Sequence, residues 1–94
     1  MMKWTERKLY GTTDKRMTAT LPDNYAIDLV FRKSAQSTAK FINGCTLTEV
    51  SFPATTLESA QAIAEEKIGD WIAENAARWD RINEMFEKAR RTDG

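Results

Sequence analysis

The stretch Trp71-Ile72-Ala73-Glu74-Asn75-Ala76-Ala77-Arg78-Trp79 decides how the carboxy-terminal third of the chain is built. Tryptophans stand at i and i+8 with an asparagine midway, so at 100° per residue all three share one helical face. Extended in both directions from Leu57, that face collects Ala60, Ala64, Ile68, Trp71, Ile72, Asn75, Trp79, Ile82, Phe86 and Ala89. The segment is alanine-rich, holds no proline and contains Gly69 as its one interior glycine, a composition that favours helix throughout. Thr55 followed by Glu58 has the spacing of a capping box at the helix start.

Gly69-Asp70 offers a competing break, because glycine favours a helix C-terminus and aspartate an N-cap. An interhelical turn would normally reset the apolar phase, and the phase is unbroken. The reading is therefore one long C-terminal helix over residues 56–90, continuous or kinked near Gly69. At 1.5 Å per residue such a helix is about 52 Å long, whereas a globule of this size has a diameter of about 32 Å. On this reading the helix overhangs its own body and presents Trp79, Ile82, Met85 and Phe86 to a partner.

Upstream the periodicity changes from helical to alternating. Met17, Ala19 and Leu21 alternate with Arg16, Thr18 and Thr20, and Tyr25, Ile27, Leu29 and Phe31 alternate with Ala26, Asp28, Val30 and Arg32. Both runs read as half-buried antiparallel strands, joined by the turn Pro22-Asp23-Asn24. A weaker strand is expected from Trp4 to Tyr10. Lys33 to Thr38 is a polar connector, and Val50 and Phe52 alternate with Glu49 and Ser51 up to Pro53, which has no N–H for a ladder. Asn43-Gly44 marks either a type I′ hairpin or a bulge within one bent strand. The fold class is α+β in a single domain, residues 1–94: an antiparallel β-meander of four to five strands over residues 3–52, with the helix packed on one face.

Composition narrows the chemistry. Apolar residues make up 41% and charged residues 30% of the 94, and no apolar run approaches the roughly 20 residues of a bilayer span. A charged amino terminus without an apolar h-region gives a cytoplasmic expectation. There is no histidine, and Cys45 is the sole cysteine. The commonest neutral-pH base and transition-metal ligand are thereby missing, and Cys45 has no histidine to activate it. We expect no metal, no cofactor and no enzymatic activity.

Net charge is zero but unevenly spread. Residues 1–44 hold eight Lys/Arg against four Asp/Glu, and residues 45–94 hold six against ten. Two binding readings follow. The first is a non-catalytic protein-binding module of inhibitor or adaptor type, acting by surface occlusion on a partner protein or on a second copy in a homodimer. Its surface is Trp71, Asn75, Trp79, Ile82, Met85 and Phe86, with Asn75 setting register in a helix seam. Phage-encoded anti-defence proteins such as anti-CRISPRs exemplify the class. The second is a nucleic-acid-binding module using Arg7, Lys8, Lys15, Arg16, Arg32, Lys33 and Lys40 on the amino-terminal sheet. It is the weaker reading, because the sheet aromatics fall in register with the apolar set that faces the helix, and the pI is about 6.3.

Overall fold

A computed structural model describes residues 2–7 and 14–91, without the side chains of residues 76–79. Five strands form one antiparallel sheet in chain order: β1 (Trp4–Arg7), β2 (Lys15–Thr20), β3 (Ala26–Phe31), β4 (Ser37–Asn43) and β5 (Cys45–Phe52). The register carries the alternation read from the sequence. Trp4 lies opposite Ala19, Ala19 opposite Ile27, Ile27 opposite Phe41, and Phe41 opposite Thr48. That row faces inward, and Ala19, Ile27 and Phe41 are fully buried. The adjacent row, Thr5, Thr18, Asp28, Lys40 and Glu49, points to the opposite face, which carries no helix among the described residues.

Turn chemistry sets the hairpins. Asp23 and Asn24 both have positive φ, 60° and 66°, and the Tyr25 N–H donates to the Pro22 carbonyl at 3.3 Å. This is the left-handed two-residue turn that matches strand twist, and aspartate and asparagine tolerate it better than other side-chain-bearing residues. At the β4–β5 reversal Gly44 takes positive φ (75°) and Asn43 does not, so the expected type I′ turn is replaced by a tighter reversal. The rival reading, one bent strand with a bulge at Gly44, is overturned: β4 and β5 are separate strands paired antiparallel, and the bulge falls three residues on. The register steps from Phe41–Thr48 to Ile42–Thr46, leaving Leu47 unmatched.

The long single helix is corrected. Two helices follow the sheet, α1 (Leu57–Glu74) and α2 (Ala76–Arg91), separated only by Asn75. The break falls at neither Gly69 nor Asp70. Asn75 leaves helical geometry at φ −107°, ψ 15°, and its side-chain Nδ2 donates to the Trp71 carbonyl at 2.8 Å. A side chain that satisfies a last-turn carbonyl removes the incentive to continue the helix. The start also differs by one residue: Thr56, with Ser59, forms the reciprocal capping box.

With the chain turned back at Asn75, α2 closes onto the same core. Phe86 is fully buried, edge-on to Phe41 at 6.2 Å between ring centroids. The molecule spans 41 × 24 × 22 Å, shorter than the rod the sequence suggested. No helix among the described residues is long and apolar enough to cross a membrane.

Candidate functional site: the groove beside the second helix

Up-and-down topology brings alternate turns to the same end of a meander. Here the β2–β3 turn and the β4–β5 reversal are tied together, Asn43 Nδ2 donating to the Asp23 carbonyl at 3.2 Å. Facing them is α2, whose apolar positions 82, 85, 86 and 89 follow helical spacing. Phe86 points straight into the core, while Ile82, Met85 and Ala89 are only partly covered.

Two adjoining hollows result. One, of about 620 Å³, lies between Pro22, Tyr25 and Asn43 on one side and Ile82 and Met85 on the other. The second, of about 350 Å³, continues past Leu21 to Met2, Lys3 and Ala89. Pro22, Met85 and Lys88 border both, so they read as one groove along α2. Its floor is apolar and contains two methionines, whose flexible thioethers adapt to irregular shapes. Its rim carries both signs of charge: Lys3, Arg81 and Lys88 with Asp23 and Glu84. An apolar floor inside a polar rim suits recognition of a protein segment. The lining contains no histidine or cysteine.

One end of the groove is braced by a buried carboxylate. Glu65 on α1 accepts from the Trp4 indole Nε1 at 3.0 Å and from the Met2 backbone N–H at 3.4 Å, and Arg90 of α2 stands 3.8 Å from its other oxygen. With only 6% of its side chain exposed, Glu65 joins the edge strand to both helices.

The predicted protein-binding residues are split by this arrangement. Ile82 and Met85 line the groove. Trp71 is half-buried against the edge of Phe41, centroids 6.2 Å apart, and Phe86 lies inside the globule. Neither ring overhangs the body. Asn75 is a helix terminator, not a member of a helix seam, and the Trp79 side chain lies outside the described residues. Pro22, Tyr25 and Asn43, the opposite wall, were not anticipated. The signal was available, since both turn motifs fall at the same end of a meander.

The predicted basic set is split as well. Arg7, Arg16, Arg32 and Lys40 lie on or beside the helix-free face. Lys15 pairs with Phe31 and belongs to the other face, Lys33 is in the connector, and Lys8 lies outside the described residues. Carboxylates interleave with these cations. Arg16 grips Asp28 through both nitrogens, Nε to Oδ1 at 2.9 Å and Nη2 to Oδ2 at 2.6 Å, and Arg32 stands 3.5 Å from Asp14. The hydrogen bond and the charge of Asp28 hold the Arg16 guanidinium above its ordinary pKa, with burial a small opposing effect. Trp4, Tyr25 and Phe41 belong to the opposite face of the sheet, Tyr25 stacked on Phe41 at 5.4 Å. Among the described residues, the helix-free face that carries Arg16, Arg32 and Lys40 therefore presents no aromatic ring on which bases could stack.

Comparison with family models, with curated proteins and with solved structures returns no match to this chain. Among the described residues no group of three His, Cys, Asp or Glu is placed to hold a metal ion.

Proposed function

We propose that this chain is a small non-catalytic protein-binding module that acts by occluding a partner's surface, in the manner of an inhibitor or adaptor. The supporting observation is the groove in which Ile82 and Met85 face Pro22 and Tyr25. The partner is a protein segment with one or two apolar side chains for the floor, flanked by polar groups of both charges for the rim. Anti-defence inhibitors encoded by phages are the class of small occluding proteins we hold nearest to this reading, on size and chemistry alone.

The test is capture by tagged protein from cells that express it, beside Ile82→Glu and Met85→Glu variants and a Thr18→Glu control on the helix-free face. One protein retained by the parent and the control and lost from both groove variants, each still folded by circular dichroism, supports the reading. Equal retention by all four chains removes it.

A further inference from the structure

The two edges of the sheet are unequal. The described β1 edge, Trp4–Arg7, carries Glu6 and Arg7, a charged edge of the kind that discourages pairing. The β5 edge is eight residues long with Glu49 as its one charge, and among the described residues β5 pairs with β4 alone. From Thr48 to Phe52 it is regular, bounded by the bulge at Leu47 and by Pro53. A long regular edge with little charge is a template for another strand.

We propose that the occupant is a second copy of this chain, β5 against β5 antiparallel about a two-fold axis, giving one continuous ten-stranded sheet. The strand's own sequence specifies the register. An axis normal to the sheet keeps each residue on its own face, so it must pass through residue 49, 50 or 51. Centring on Glu49 sets two carboxylates directly opposite each other, which is unfavourable. Centring on Ser51 places Pro53, with no N–H, opposite Glu49. Centring on Val50 uses all five residues: Thr48 meets Phe52, Glu49 meets Ser51, and Val50 meets its own equivalent. On the inward face Val50 is half-exposed beside Trp71, at a hollow of about 340 Å³ between β5 and α1 that Lys67, Asp70 and Glu74 also line, and the two-fold sets the mixed charges of both copies side by side.

This surface is separate from the groove along α2, so its test does not depend on Ile82 or Met85. Ser51 is exposed on the helix-free face, and substitutions there leave the core alone. Sedimentation equilibrium should show a dimer for the parent chain. Ser51→Glu, facing Glu49 of the second copy twice per dimer, should weaken association about tenfold, and Ser51→Lys should tighten it by a similar factor. Glu49→Gln should cancel both effects, and melting temperatures should report an unchanged fold. A monomer at every concentration, a dimer that ignores both substitutions, or two shifts in the same direction would each overturn the proposal.

Discussion

Gly69 lies directly against Phe86. A β-carbon at position 69 would stand 3.2 Å from Cε1 of that ring and 3.3 Å from the Arg90 guanidinium, so α2 crosses α1 closely here and a side chain is accommodated only if the ring or the guanidinium gives way by a few tenths of an ångström. Gly69→Ala gains about 1 kcal/mol of helix propensity but crowds a ring that Phe41 holds from the other side. The two effects nearly cancel. Gly69→Leu cannot be absorbed and should cost about 2–3 kcal/mol, measured by urea unfolding.

Phe86→Ala should cost about 3–5 kcal/mol, the range for emptying a buried aromatic site. Against a total stability of about 5–15 kcal/mol for an ordinary domain, that loss should leave the chain partly unfolded at 37 °C. A drop in melting temperature of only one or two degrees would mean that α2 is a loosely attached appendage.

Glu65→Ala should destabilise more than its size suggests, because the Trp4 indole N–H and the Met2 amide lose their acceptor together. Buried donors left without a partner cost about 1–3 kcal/mol each. Glu65→Gln keeps an acceptor oxygen and should recover part of the loss. The Trp4 indole resonance in a proton–nitrogen correlation spectrum checks the assignment directly, since it should move in both variants.

Arg16 and Asp28 should contribute little, about 0.5 kcal/mol, because their bidentate contact is on an open face where water and salt screen it. Arg16→Ala and Asp28→Ala should each lower stability by less than about 1 kcal/mol, and 1 M salt should shrink the difference. The pH sign follows from the raised Arg16 value. Its contribution is fully present below the ordinary arginine range and is lost only as pH rises through the raised folded value, so this arginine adds no slope to stability around neutral pH.

Much of the sheet was legible because its signals are local. Alternation fixed the inward sets Met17/Ala19 and Ile27/Leu29, and Pro22-Asp23-Asn24 named its own turn. The helix break was not legible for a physical reason. Both helices cover the same core, so each must carry an apolar stripe, and one non-helical residue hardly disturbs the phase between them. Continuity of phase therefore said nothing about continuity of axis. Length carried the better warning: a rod of about 52 Å had no body to lie on, and Asn75 alone in that face could reach back to a carbonyl. Half of the groove was legible, since Ile82 and Met85 stand out by spacing. Pro22 and Tyr25 join them only once the chain has turned.

The return of α2 onto α1 is what turns an overhanging rod into a groove, and nuclear Overhauser spectroscopy measures it most directly. Cross-peaks from the Gly69 α-protons and the Phe41 ring to the Phe86 ring should be strong, and the helical i to i+4 connectivities should lapse across Asn75. Uninterrupted connectivities through residue 75, with no cross-peak between Gly69 and Phe86, would contradict the account.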